Sequence, residues 1–285
     1  MPRAAPGYVR PVAVRRHRVE DPGDPAVSDY RSLNDTSFRK RVERPGPFGG
    51  GCVVVEGWLA VERMLAGRHR VRSVLVDERR LDRLEALLAG SRAIDGATVL
   101  VASPPTIEEI VGFDLHRGVV AAIDRPRPRD PDSLVRRSRH LLVVEGVTDA
   151  ENVGVLFRNA AALGADGVVV DTTSADPWSR RAVRTSVGHV LAVPWATWTV
   201  AAMLRAVDDA GHLLVAMTPG GDVDLADVDV EPGRSVALAV GAEGPGLSDA
   251  VLDAATIQAR IQMSDGTDSL NVASAAAVAA WHLFR

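Results

Sequence analysis

Five polar residues in three short stretches of the C-terminal half are the side chains best placed for chemistry. They are Asn152 and Arg158 in D-A-E-N-V-G-V-L-F-R, Glu243 in G-A-E-G-P-G, and Ser269 and Asn271 in I-Q-M-S-D-G-T-D-S-L-N-V-A-S-A-A-A. None of the three stretches contains a histidine, so the chemistry they offer is gripping and orienting a ligand rather than ordinary proton abstraction. Helical side chains lean towards the N-terminus, which predicts that Arg158 lies back over Gly154 and reaches Asn152. Glu243, if buried among its glycines, needs a cation, and Arg158 is the candidate. The spacing G-x-x-G-x-G differs from the dinucleotide fingerprint G-x-G-x-x-G, so a nicotinamide cofactor is set aside, although three glycines still let a ligand approach the backbone. Each stretch alone has a plainer reading: Asn152 as a cap with a surface Arg158, an ordinary glycine-rich connection with an exposed Glu243, and Asp268 or Ser269 as an N-cap with Asn271 in the first helical turn.

The elements that must position these residues follow from hydropathy periodicity. From residue 139 the chain alternates strands with helices: L-L-V-V-E-G-V, a helix over Glu151 to Leu163, G-V-V-V, a helix near Arg180 to Val187, the strand L-A-V-P, a helix over Thr199 to Asp208, H-L-L-V-A-M-T, S-V-A-L-A-V, and a helix near Ser248 to Ala254. Continuous apolar strands of this kind suit a parallel sheet covered on both faces. A strand from Ile261, a polar loop and an Ala-rich helix close the chain. An earlier and smaller α/β region begins at C-V-V-V-E-G and continues through W-L-A-V-E-R-M-L-A, V-R-S-V-L-V-D, a helix at Arg80 to Leu88, A-T-V-L-V-A, P-P-T-I-E-E-I-V and G-V-V-A-A-I. The expected organisation is an extension over residues 1–48, a small α/β domain over 49–124, a stiff basic linker over 125–138 around R-P-R-P-R-D-P-D, and the main α/β domain over 139–285.

Bulk properties exclude several classes. The 285 residues, 46% of them hydrophobic, can bury substantial cores, and no repeat period is visible. One cysteine, Cys52, forms no internal disulfide and reads as a buried core thiol; no His/Cys cluster has metal-ligand spacing, so no metal is expected. Neither a signal peptide nor an apolar run of about 20 residues is present, which predicts a soluble cytoplasmic protein without membrane contact. The net charge of −4 is uneven: residues 1–50 carry ten basic and six acidic groups, residues 141–285 eight basic and eighteen acidic. A nucleic-acid partner would therefore be met by the front of the chain, where Arg15, Arg16, Arg18, Arg39, Lys40 and Arg41 cluster, unless that run is merely a solvated tail.

In combination, E-G-V-T-D-A-E-N-V-G-V-L-F-R-N-A, A-V-G-A-E-G-P-G-L-S and I-Q-M-S-D-G-T-D-S-L-N-V-A-S-A-A-A, in this order, resemble the SpoU family of RNA 2′-O-ribose methyltransferases within the SPOUT superfamily. The resemblance covers residues 139–285, while F-G-G-G-C-V-V-V-E-G-W-L-A-V-E-R and H-R-G-V-V-A-A-I resemble the small, ribosomal-protein-like substrate-binding domain that many members carry in front. It implies a parallel-sheet domain closed by a trefoil knot, S-adenosylmethionine bound in the knot, and a homodimer whose active sites use both subunits. By that similarity Asn152, Arg158, Glu243, Ser269 and Asn271 are active-site positions, and Thr218, Gly241, Gly246, Ile261, Met263 and Leu270 are cofactor positions. The implied roles are Arg158 on the phosphate beside the target ribose and on the developing oxyanion, Glu243 holding Arg158 and Asn152, and Ser269 with Asn271 orienting the reacting region. The Ala-rich helix would serve as core and as dimer surface. One departure is Gln262, where the family commonly has Pro, whose ring would stiffen the turn.

The function expected is methyl transfer to a ribose 2′-hydroxyl of a structured RNA, ribosomal RNA being favoured over transfer RNA. Two alternatives are a ribosome-assembly factor that binds RNA without turnover, which has no need of all five polar residues, and methylation of a base or small molecule, against which a separate front domain and basic arm argue.

Overall fold

The computed structural model describes residues 15–43, 51–89, 91, 94–267 and 269–284, with the side chains of 38–41 outside the description. The side chains of Arg39, Lys40 and Arg41, and the whole of Asp268, therefore lie outside it. The chain forms two compact units, residues 1–126 and 127–285.

The first unit contains β1 (Arg15–Arg18), α1 (Thr36–Glu43), β2 (Cys52–Glu56), α2 (Trp58–Ala66), β3 (Val71–Asp77), α3 (Leu81–Leu88), β4 (Thr98–Ala102), α4 (Pro104–Val111) and β5 (Val119–Asp124). Its mixed sheet runs β1-β4-β3-β5-β2, with β1, β4 and β3 parallel and β5 antiparallel to both β3 and β2. The stretch read as an irregular extension is, over its described part, built into this unit. β1 is an edge strand, and the Tyr30 hydroxyl, fully buried, donates to the backbone oxygen of Ser73 at 2.8 Å. The three arginines and one histidine of β1, all exposed, hide it from a hydropathy reading, since an edge strand with both faces wet needs no apolar alternation. Cys52 is buried, and burial above all pushes its thiol up to about 12.

In the second unit α5 (Pro131–Arg137) precedes β6 (His140–Val144), α6 (Ala150–Leu163), β7 (Gly167–Asp171), α7 (Arg180–Thr185), β8 (Trp195–Trp198), α8 (Val200–Asp209), β9 (Leu213–Met217), β10 (Val223–Asp224), β11 (Val236–Val240), α9 (Asp249–Ala254), β12 (Ile257–Arg260) and α10 (Val272–Leu283). All seven strands are parallel, in the order β10-β12-β9-β11-β6-β7-β8. Alternate residues such as Leu141, Val143, Ala237 and Ala239 join Leu134, Val135, Met203 and Val251 in one core, which leaves Leu142, Val144, Leu238 and Val240 for the other face. This two-sided burial is why the central strands read as unbroken apolar runs.

Three sequence expectations change here. The second half of the presumed linker is α5, capped by Asp130 and started by Pro131, and its Leu134 and Val135 are buried. L-A-V-P is not a strand: His189–Leu191 forms a 3₁₀ turn and the strand falls on W-A-T-W, where Trp195 sits edge-on to Phe157 at 5.9 Å. The last strand ends at Arg260, so Ile261 to Ser264 form an irregular segment.

Candidate functional site

The segments that follow β9, β11 and β12 and the start of α10 surround a cavity of about 610 Å³. Ligand sites in open α/β sheets lie at such strand ends. The β11 end supplies the 241–246 loop, which folds back so that the Gly246 N–H donates to the Ala242 carbonyl at 3.0 Å. Gly241 is held so close to this return that a Cβ there would lie 2.3 Å from the Gly246 carbonyl carbon, a distance no side chain tolerates. Gly244 and Gly246 have φ of +94° and +73°, the left-handed region where glycine is strain-free.

Thr218, Gly241, Gly246, Ile261, Met263 and Leu270 all line this cavity, as do Glu243, Ser269 and Asn271. Val240, Ile261 and Leu270 give it apolar walls, while the glycines leave backbone N–H and C=O groups within reach of a ligand.

At the rim three of the five polar residues bond to one another. Glu243 Oε1 accepts from Asn271 Nδ2 at 2.6 Å, from Asn152 Nδ2 at 3.1 Å and from the Val272 N–H at 3.5 Å, and Asn271 Nδ2 also donates to Asn152 Oδ1 at 2.9 Å. Asn271 is itself the N-cap of α10, its Oδ1 accepting from the N–H groups of Ala273 at 3.0 Å and Ser274 at 3.3 Å. The cap is thus neither Ser269 nor a residue before it. One amide closes the helix with its oxygen and fixes a carboxylate with its nitrogen. Asn152 stands in the first turn of α6, behind the Asp149 cap.

Arg158 behaves differently from the expectation. It is exposed, does not line the cavity and makes no hydrogen bond or ion pair among the described residues. Glu243 is exposed, and its Oε1 bonds to two side-chain amides rather than to a guanidinium. Nor does Gly154 leave room for Arg158: a Cβ there would meet the Ala182 carbonyl oxygen at 2.6 Å, so this glycine admits α7 against α6.

Two groups that the sequence did not single out support the site. Glu145, just past β6 and 8% exposed, accepts from the Ser248 N–H at 2.9 Å and ties the β6 end to the far side of the glycine loop. Asp171, at the end of β7, accepts from the N–H groups of Gly146, Thr173 and Ser174 and from both hydroxyls of the latter pair. Burial alone would raise its carboxyl, but the Ser174 and Thr173 side chains and the Gly146 and Thr173 amides outweigh that and hold it below the ordinary value of 3.8. The tie from Glu145 to Ser248 and that from Asp171 to Gly146 join groups distant along the chain, which no local pattern in the sequence announces.

Residues 139–281 match the SpoU rRNA Methylase family, and residues 54–129 match the family described as RNA 2′-O ribose methyltransferase substrate binding. An uncharacterized tRNA/rRNA methyltransferase of Mycobacterium tuberculosis is 44% identical over 269 residues, covering 92% of this chain and 89% of that protein. A 23S rRNA (guanosine-2′-O-)-methyltransferase of Shewanella oneidensis is 27% identical over 242 residues, 81% of this chain and 96% of that one. Among solved structures, an AdoMet-bound rRNA methyltransferase from Sinorhizobium meliloti superposes with a TM-score of 0.78 at 25% identity, covering 94% of this chain and 97% of that chain. Among the described residues no helix is long and apolar enough to cross a membrane, and no group of His, Cys, Asp and Glu could hold a metal ion.

Proposed function

The chain belongs to the SpoU rRNA methylase family, with the SPOUT α/β fold and an RNA methyltransferase activity, and from that premise we propose that it methylates a ribose 2′-hydroxyl of a structured RNA, ribosomal rather than transfer RNA, using S-adenosylmethionine in the cytoplasm. The observation that carries this reading is the glycine-walled cavity with Asn152, Glu243 and Asn271 bonded together at its rim.

The cavity suits the cofactor in size and lining. Its volume falls within the usual range of roughly 300–1,000 Å³ for small-molecule sites. Val240, Ile261 and Leu270 would enclose a flat purine, and the backbone at Thr218, Gly241, Gly246 and Met263 would take its polar edges. S-adenosylmethionine bound there supplies an electrophilic methyl group. The chain's own task is to present a weakly acidic hydroxyl in a fixed orientation, and much of the acceleration can come from that positioning. Asn152, Ser269 and Asn271 orient the ribose, with Glu243 locking the two amides. The domain roles follow: residues 49–124 engage RNA and residues 139–285 carry the transfer.

A homodimer completes the site in this reading. Arg158 stands off the cavity with its guanidinium unengaged among the described residues, on a helix whose Asn159 is bonded to the Ala273 backbone of α10, and α10 leaves Val278 46% and Trp281 63% exposed. Arg158 of the partner subunit would grip the phosphate beside the target ribose and offset charge developing on its oxygen.

Incubation with methyl-labelled S-adenosylmethionine and total RNA, followed by mapping, tests the proposal. Label at one or a few 2′-O positions of ribosomal RNA is the expected result. RNA binding without label would favour an assembly factor, and label on a base would refute ribose as the target. Arg158→Lys is expected to lose most turnover, because an ammonium cannot reproduce the forked phosphate interaction. Mixing Arg158→Ala with Asn271→Ala protein should restore up to about a quarter of wild-type activity if the residues act across a dimer, since random exchange leaves one intact site in half the dimers.

A further inference from the structure

Of the basic groups expected to meet RNA, Arg15, Arg16 and Arg18 have described side chains; Arg15 has no ion pair among the described residues, and the other two are already spent in ion pairs. Arg16 pairs with Glu85 at 2.7 Å, Arg18 with Glu78 at 3.2 Å and with Glu20 at 3.5 Å, and His17 with Asp24 at 2.6 Å. Charges neutralised in this way release few counterions from a polyanion.

A second set of arginines is not spent. Arg80, Arg83 and Arg117 are exposed, and none has an ion pair among the described residues. They converge at the end of the first unit's sheet where β2 and β3 finish and β5 begins. Gly118 lies under Arg80, since a Cβ there would be 2.8 Å from Arg80 Cδ. Gly57 lies equally close under Arg117, at 2.8 Å from its Cδ. Trp58 connects the set: its Nε1–H donates to the Arg117 backbone oxygen at 2.7 Å, and the Arg83 guanidinium carbon stands 4.2 Å from its ring centroid. Of the neighbouring carboxylates, Asp77 bonds to Arg79 at 2.7 Å, although Arg80 stands close enough to act on its charge, and Glu78 pairs with Arg18. Beside Trp58 the apolar Leu59 is 55% exposed.

We propose that this cluster is an RNA-binding subsite for an unpaired nucleotide, with Arg80 and Arg117 on the flanking phosphates and a base stacked on the outer face of the Arg83 guanidinium, against Leu59. The chemistry favours RNA over an acidic protein. A guanidinium backed by an indole is a preformed plane, and unpaired bases stack on such planes while backbone phosphates are met by neighbouring cations. Separate carboxylates of a protein partner would have no use for the stacking face. The two glycines fit the same design, because any side chain there would displace Arg80 or Arg117. The inference rests on the RNA reading above and adds where the first unit holds the strand.

The test uses the full-length protein, labelled oligouridine as the probe for binding and total RNA for methyl transfer. Arg80→Gln combined with Arg117→Gln leaves the Trp58–Arg83 stack intact and should weaken oligouridine binding roughly tenfold or more at low salt, with the slope of log affinity against log salt falling by about 0.7 for each phosphate no longer neutralised. Arg83→Lys keeps the charge but removes the plane, and should weaken binding with little change in that slope. Arg16→Gln with Arg18→Gln serves as the contrast and should leave both quantities near wild type. Retained melting temperature and retained S-adenosylmethionine binding, read by calorimetry, show that each variant is folded. Wild-type affinity and slope in the Arg80/Arg117 variant, with RNA methylation intact in the wild type, overturn the subsite alone. Failure of the wild type to bind oligouridine while it methylates RNA also overturns it. Failure of the wild type both to bind and to methylate any RNA overturns the functional reading and the subsite together.

Discussion

At one strand end of the first unit Arg80, Arg83 and Arg117 are exposed with no ion pair among the described residues, whereas at the carboxyl ends of the second unit's sheet two amides and a carboxylate are bonded to one another around glycine backbone. The first arrangement tolerates displacement: a cation an ångström out of place still attracts a phosphate. The second does not, because hydrogen bonds weaken steeply with distance and angle. One end is suited to holding a long anionic ligand, the other to fixing one hydroxyl. If this contrast is right, substitutions in the second unit should strike turnover and cofactor binding abruptly, while those in the first should change RNA affinity and its salt dependence in graded steps.

Gly241→Ala gives the largest expected effect. The new Cβ would enter the Gly246 and Leu247 backbone at 2.3 to 2.4 Å, so the loop must move. Strain of roughly 1–3 kcal/mol, carried by the cavity wall, would weaken S-adenosylmethionine binding about tenfold to a hundredfold by calorimetry. Near-normal affinity would show that the loop is soft, and would remove the rigidity on which the comparison depends.

Asn271 separates capping from site geometry. Asn271→Ala should cost about 1 kcal/mol of stability through the missing cap, and should reduce methyl transfer well beyond what a lower melting temperature explains. Asn271→Asp keeps an oxygen for the Ala273 and Ser274 N–H groups but sets a second carboxylate against Glu243, where an amide now stands at 2.6 Å. Stability retained with transfer abolished is the expected pattern. Equal loss in both would mean that Asn271 is only a cap.

Much of this arrangement is legible in the sequence, and the exceptions have physical causes. The apolar runs at residues 141–144, 167–170 and 236–240 announce buried parallel strands because both faces are covered, and the order of the three polar stretches carries the family likeness. Hydropathy misses β12 because I-Q-A-R alternates weakly, yet this strand pairs with both β9 and the two-residue β10. Opposite charge alone suggests an Arg158–Glu243 pair, whereas two side-chain amides bond to the carboxylate. Counting charge along residues 1–50 selects Arg15, Arg16, Arg18, Arg39, Lys40 and Arg41, of which Arg16 and Arg18 are paired with carboxylates. Arg80 and Arg83 lie three residues apart, but nothing along the chain announces that Arg117 and Trp58 join them, because strand ends far apart in sequence bring these together.

Asp171 supports the second site from behind, and its effect should be felt first as stability. Asp171→Ala removes the charged acceptor of the part-buried N–H groups of Gly146, Thr173 and Ser174, at about 1.5–3 kcal/mol for a hydrogen bond to a charged group. Its carboxyl is lower in the folded protein than the ordinary 3.8, so its contribution is complete above that value and is lost as pH falls through the lower folded one. Urea denaturation at about pH 5 and about pH 3 should show wild type and Asp171→Ala converging in acid. A constant difference between them would mean that the carboxylate charge is not what the loop uses.

Gln262→Pro should give the smallest change and the finest test. Gln262 is exposed in the irregular segment between β12 and α10, directly after the cavity residue Ile261 and before Met263. Proline there would narrow the conformations open to the free chain, a gain of about 0.4–1 kcal/mol where the native backbone accepts it. Calorimetry should then find S-adenosylmethionine bound about two- to fivefold more tightly, with a smaller entropic penalty and an unchanged RNA salt slope. Weaker binding would mean that the backbone at Gln262 adopts a φ that proline cannot, so that this chain shapes its cavity wall with a turn of its own.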